Sequence, residues 1–73
     1  QDTADGWITT KIKSSYMYSD RVDGSDIEVQ TKDGHVLLRG KVNSGEEQAL
    51  AVQIAENVRG VKDVNSGGLS HAN

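Results

Sequence analysis

Apolar positions recur along this chain in two rhythms, and the change of rhythm outlines the fold. At 100° per residue, Ile8, Ile12, Ser15, Tyr16 and Ser19 share one stripe, which predicts an amphipathic helix over 4–18 with that stripe on the core. Thr3 is the expected N-cap, and Asp5 in the first turn suits the positive end of the helix dipole. Gly6 weakens that turn by about 1 kcal/mol relative to alanine. The polar run 19–26 follows as a loop, with Val22 expected to pin it to the core.

The period then shortens to two. From Asp26 to Lys32, Ile27, Val29 and Thr31 fall on one face; from His35 to Val42, Val36, Leu38, Gly40 and Val42 do the same. Asp33-Gly34 between the two runs is a preferred pair for a two-residue type I′ hairpin loop. A two-residue loop fixes the register, and both faces agree on it. The inner pairs become Thr31 with Val36, Val29 with Leu38, and Ile27 with Gly40. The outer pairs become Lys32 with His35, Gln30 with Leu37, Glu28 with Arg39, and Asp26 with Lys41. Two of the outer pairs join opposite charges, each worth a few tenths to about 1 kcal/mol.

Ser44-Gly45-Glu46-Glu47 reads as a capping box. The Ser44 hydroxyl accepts from the Glu47 amide while the Glu47 carboxylate reaches back to the N-cap amide. The helix it opens is expected to run to Arg59, to bury Leu50, Ala51, Ile54, Ala55 and Val58, and to end at a left-handed Gly60. A last strand is expected over 61–66; Gly67 and Gly68 weaken strand character, so 67–73 is expected to fray. The order is αββαβ, an α+β fold with two helices packed on one face of a three-stranded sheet. The chain reads as a single domain over 1–73 with its core in 4–66.

Composition narrows the function classes. Seventy-three residues make one small domain, with no cysteine and hence neither a disulfide framework nor a thiolate metal cage. A formal net charge of −3 argues against a nucleic-acid partner, which calls for a basic face. No apolar run approaches a membrane span. The chain opens at Gln1 without an initiator Met or a signal-peptide pattern, which fits a processed chain or an excised domain.

Two segments then carry a family likeness. The first is Asp33-Gly34-His35-Val36-Leu37-Leu38-Arg39-Gly40-Lys41-Val42; the second is Ile54-Ala55-Glu56-Asn57-Val58-Arg59-Gly60-Val61-Lys62-Asp63-Val64. Together with Ile8 and Ile12 of the first helix and Ile27-Glu28-Val29, they resemble the BON domain (bacterial OsmY and nodulation) over roughly residues 5–66. That family shows a DG-opened, glycine-bearing strand and an A-x-x-V-x-G-V-x-x-V helix exit. The chain departs from the pattern at Ser66-Gly67-Gly68-Leu69, which breaks the last strand's alternation, with Leu69 one position away from pointing inward. It also departs at Tyr16-Met17-Tyr18, where the helix end is usually aliphatic.

The resemblance implies a periplasmic or envelope-associated module of the kind found in osmotic-stress periplasmic proteins and outer-membrane lipoproteins. Such modules are regarded as phospholipid- or envelope-binding, with no enzymatic activity and no cofactor. It also implies structural glycines: Gly34 to turn the hairpin, Gly40 to let a helix approach the sheet, and Gly60 to end the helix.

The best candidate surface is the aromatic and basic flank of the first helix. Trp7, Lys11 and Tyr18 lie on one side, with Lys13 on the other and Arg21 just beyond. Trp and Tyr favour the membrane–water interface, and each Lys or Arg near an anionic surface adds about 1 kcal/mol. The expected partner is therefore an anionic phospholipid surface, bound weakly. The competing reading is a protein-interaction module that uses the sheet edge or outer face, with an envelope protein or a second BON copy as partner. Asp20, Asp23 and Asp26 lack the alternating ligand pattern and distal Glu of a calcium loop, and His35 and His71 lack the carboxylate or thiol company of a metal site. No Ser, His and Asp are ordered into a nucleophile and base, so neither a metal nor an enzyme is expected.

Overall fold

The computed structural model describes residues 2–71. Its elements are α1 (Asp2–Tyr18), a 3-10 turn (Gly24–Asp26), β1 (Ile27–Lys32), β2 (His35–Val42), α2 (Gly45–Glu56) and β3 (Asp63–His71). The sheet order is β1-β2-β3, with β1 antiparallel and β3 parallel to the central β2. The buried positions of all three strands lie on one face, where both helices pack; the α+β reading in the order αββαβ is the fold observed.

The hairpin follows its turn chemistry. Asp33 and Gly34 both take positive φ, 54° and 85°, as a type I′ turn requires. The ladder from Ile27 opposite Gly40 to Lys32 opposite His35 is the expected register throughout. It stops at Ile27, because Asp26 closes the 3-10 turn instead of pairing with Lys41. Glu28 does face Arg39 in the register, but its carboxylate accepts from the Gln30 amide at 3.1 Å.

Ile8, Ile12 and Tyr16 of α1, Ile27 and Val29 of β1, Val36, Leu38 and Val42 of β2, and Ala51 and Ala55 of α2 form one core. Val22 joins it and pins the loop, as the pattern suggested. Leu50 and Ile54 are only half-buried, because the small Ala51 and Ala55 form the closest contact face of α2. α1 starts at Asp2, so Thr3 lies inside the helix instead of capping it. α2 stops at Glu56, earlier than Arg59; the turn 57–60 then carries the chain to Gly60, whose φ of 98° lets it reverse beside Ile8.

The largest departure is at the end of β3. Strand pairing continues through Gly67 and Gly68 to His71, so the break expected at Gly67 does not occur; Ala72 and Asn73 lie outside the described residues. Between the pairs Leu37–Asn65 and Arg39–Gly68, β2 advances two residues while β3 advances three. That extra residue is a bulge, and it resets the side-chain parity. Leu69, out of phase before the bulge, lands opposite Gly40 and is buried.

Gly40 is needed for a reason other than the one the family likeness suggested. Its φ is 125°, and a Cβ there would sit 2.0 Å from the Asp26 carbonyl oxygen. The close approach is between backbones, β2 against the entry to β1, and no helix is involved.

Candidate functional site

Three grooves open at the end of the molecule where α1 stops and α2 starts, and the side chains of interest sit on or beside them. The local structure begins with the loop 19–26. Asp23 accepts from the Ser25 hydroxyl at 2.6 Å and the Ser25 amide at 3.1 Å, capping the 3-10 turn. These two bonds to the charged form, the hydroxyl first, hold the Asp23 carboxyl below its ordinary pKa.

The loop is tied to the body by Glu47, whose carboxylate accepts from the Asp23 amide at 2.8 Å and from the Asn43 amide. Glu47 is 6% exposed, a buried carboxylate satisfied by backbone donors. The capping box therefore forms in altered shape. Ser44 Oγ accepts from the Glu47 amide at 3.1 Å, but Glu47 reaches past the cap residue to Asn43 and across to the loop. Sequence reasoning saw the local half of this contact; the Asp23 half, 24 residues away, has no local signal.

Tyr16 completes the support. Its hydroxyl donates to the Ala51 carbonyl at 2.9 Å, joining α1 to α2 inside the core, and burial pushes its phenol well above the ordinary range.

On this frame the candidate residues are all exposed, and they do not converge on one spot. Trp7, Lys11 and Tyr18 share one stripe of α1, with Trp7 50% and Tyr18 89% exposed. Met17, 83% exposed, lies next to that stripe in sequence but one helical turn beyond Lys13, on the opposite flank. Lys13 stands over a groove floored by Tyr16, Val22 and Ile27. Arg21 lines a separate groove against Ser44, Glu46 and Leu50 at the start of α2.

The remaining polar candidates are occupied in ordinary ways. His35 Nδ1 lies 2.9 Å from Asp63 Oδ2 on the exposed outer sheet face, a hydrogen bond between two exposed side chains. His71 ends β3, exposed, opposite Val42. Among the described residues no three His, Cys, Asp or Glu side chains gather as a metal set, and Asp20, Asp23 and Asp26 do not converge. No helix of the described residues is long and apolar enough to cross a membrane.

Comparison with known proteins gives the architecture its family. The BON domain family model matches residues 4–67, from the first turn of α1 into β3. The chain belongs to the BON domain family. It is 41% identical over 64 residues to the 21 kDa hemolysin of Actinobacillus pleuropneumoniae, covering 88% of this chain and 32% of that protein. It is 38% identical over 64 residues to the outer membrane lipoprotein DolP of Haemophilus influenzae, covering 88% of this chain and 33% of that protein. It is 36% identical over 61 residues to the osmotically-inducible protein Y of Escherichia coli, covering 84% of this chain and 30% of that protein. This BON domain thus spans about a third of the length of each relative. Of the departures noted in the sequence, Tyr16 and Met17 line one of the grooves and Gly68, midway along β3, lines another.

Proposed function

We propose that this BON domain is a non-catalytic module of the bacterial envelope that associates peripherally with anionic phospholipid through α1 and the loop after it. The observation that carries the reading is exposure. Among the described residues every large apolar side chain left exposed, Trp7, Met17 and Tyr18, sits on α1. Aromatic side chains with a polar edge are suited to the headgroup region, and Lys11, Lys13 and Arg21 stand around them. The envelope setting is supported by the family and by a relative that is itself an outer membrane lipoprotein. The non-catalytic reading is supported by the absence, among the described residues, of a serine hydroxyl hydrogen-bonded to either histidine.

Such binding is weak. Each basic residue contributes about 1 kcal/mol near an anionic surface, and the net charge of −3 opposes it. A second module or an anchor on the same polypeptide would raise it through effective concentration.

Trp7 is the sole tryptophan and half exposed, so its emission reports insertion directly. Anionic vesicles should shift it to the blue, with the effect fading as salt rises; zwitterionic vesicles should leave it unchanged. An unchanged spectrum at millimolar anionic lipid discards the reading. It would favour the protein-interaction alternative, which one observation supports: neither helix covers the outer sheet face, and β1 and β3 each keep an unpaired edge.

A further inference from the structure

β3 carries one residue more than an even ladder with β2 can use. Its first half is anchored. Lys62 donates its amide to the Gly34 carbonyl at 2.8 Å, Val64 pairs with Val36, and the Asp63 carboxylate meets the His35 ring at 2.9 Å. Past Asn65 the pairing advances three residues in β3 for two in β2, so Arg39 faces Gly68 and Gly40 faces Leu69. Two features build this bulge. Asn65 Oδ1 accepts from the Gly67 amide at 2.8 Å, and Gly68 lies so close to β2 that a Cβ there would stand 2.9 Å from the Leu38 carbonyl oxygen. Gly68 does not have a positive φ, so the position needs glycine for space and not for backbone freedom.

What the bulge secures is Leu69, which is 8% exposed in the core. Counted on evenly from the pair His35–Asp63, the ladder would instead set Gly40 opposite Gly68, Lys41 opposite Leu69 and Val42 opposite Ser70. A slip of one residue turns every side chain beyond it to the other face of the sheet. Leu69 would then stand on the outer face beside Lys41, and His71 would leave its place next to Gly45 at the start of α2. Apart from Leu69, the segment 66–71 holds Ser, Gly and His, residues that either face accepts. The hydroxyl of Ser70 reaches the Gly40 carbonyl at 3.5 Å, a long contact that ties the register weakly. One apolar side chain thus favours the bulged register, and the broken ladder opposes it.

We propose that β3 is a two-register strand: a one-residue slip of 66–71 carries Leu69 between the core and the outer sheet face while 63–65 stays in place. The slipped register is the minor one, populated to about 1% and exchanging on the microsecond-to-millisecond scale. The device couples the two faces of the sheet. A protein that covers Leu69 on the outer face binds the slipped form alone, and in doing so withdraws an apolar side chain from beneath α2. The slip is independent of any association of α1 with lipid.

The test is relaxation-dispersion NMR on backbone amides and the Leu69 methyl groups. Exchange is expected at 66–71 and at the facing residues 39–42, with minor-state shifts of strand and not of coil character. Asn65→Ala removes the hydrogen bond that caps the bulge and should raise the minor population about five-fold. Gly68→Ala crowds the bulged register against Leu38 and Arg39, and should make the slipped one dominant, with Leu69 opposite Lys41 in cross-strand NOEs. Deleting Gly67 removes the extra residue, keeps Leu69 opposite Gly40, and should abolish the exchange. Should Gly68→Ala fail to fold, Leu69→Ser takes its place, because it removes the side chain that favours the bulge. Absence of exchange at 66–71 in Asn65→Ala overturns the proposal, as do coil-like minor-state shifts or exchange that survives the deletion. A bulge retained in Gly68→Ala, or in Leu69→Ser where that variant stands in, overturns it as well.

Discussion

The two ends of the sheet are closed by the same device under different conditions. At the hairpin end, Asp5 of α1 accepts from the amides of Asp33 at 2.8 Å and Gly34 at 3.1 Å. At the grooved end, Glu47 of α2 accepts from the amides of Asn43 and Asp23. Each carboxylate clips two backbone donors from outside its own helix. Asp5, however, is half-buried and holds a turn that a type I′ loop already shapes, and Gly34 itself accepts from Lys62 at 2.8 Å. Glu47 is buried and holds a loop with little regular structure of its own. The hairpin end is thus set by local backbone geometry, and the grooved end by one long-range buried contact.

The largest expected effect separates the clips. Removing the buried Glu47 carboxylate leaves the part-buried amides of Asp23 and Asn43 without their acceptor, so Glu47→Ala should cost about 3 kcal/mol in urea unfolding. Asp5→Ala releases an exposed amide at Asp33 and a part-buried one at Gly34, in a turn its own residues already shape, and should cost about 1 kcal/mol. Amide exchange should quicken around 19–26 in the first variant and barely change at the hairpin in the second. An equal or larger loss at Asp5 would break the comparison.

A second, smaller effect concerns how α1 meets α2. Near the hairpin end α1 meets the turn that follows α2, Ile8 against Gly60; toward the grooved end it meets α2 itself, the Tyr16 hydroxyl on the Ala51 carbonyl. Tyr16→Phe should cost about 1 kcal/mol at neutral pH. Burial raises the folded phenol above its ordinary value of 10.0, so the protonated form is the one the fold favours. The sign follows: the stabilisation is whole below pH 10 and is lost as pH rises beyond it, by about 1.4 kcal/mol per pH unit. Urea midpoints across that range should fall in the parent and fall less in Tyr16→Phe. Parallel curves would mean that the phenol is not the group that titrates.

The same division explains what the sequence made legible. The hairpin end announces itself locally, because Asp33-Gly34 specifies a turn, the turn a register, and the register both faces of β1 and β2. The family likeness rests largely on these segments. The grooved end depends on contacts that no short window contains. Leu69 looked out of phase because a bulge in β3 is invisible until β3 lies against β2. Gly40 looked like a helix-packing glycine because its partner, the Asp26 carbonyl, arrives from the entry to β1. The candidate surface was legible as a stripe, Trp7, Lys11 and Tyr18 on α1. The groove beside Lys13 was not, because it is made by Tyr16 and Val22 together with Ile27, which the sequence assigns only to the core.

The smallest expected effect tests whether the grooved end is held by its backbone clip alone. Asp23 takes part twice, its amide donating to Glu47 and its carboxylate accepting from Ser25. Only the first contact reaches the buried interior. Ser25→Ala removes the hydroxyl, the larger of the two causes that lower the Asp23 pKa, while the amide bond remains. The Asp23 carboxyl should then titrate closer to its ordinary 3.8 in carbon-detected NMR. In the parent, the cap's contribution is present above 3.8 and is lost as pH falls through the lowered folded value; in the variant that acid-labile part is reduced. Because the carboxyl is fully exposed, the urea midpoint at neutral pH should scarcely move. A large loss of stability in Ser25→Ala would show that the side-chain cap, and with it the 3-10 turn, fixes the loop before Glu47 does.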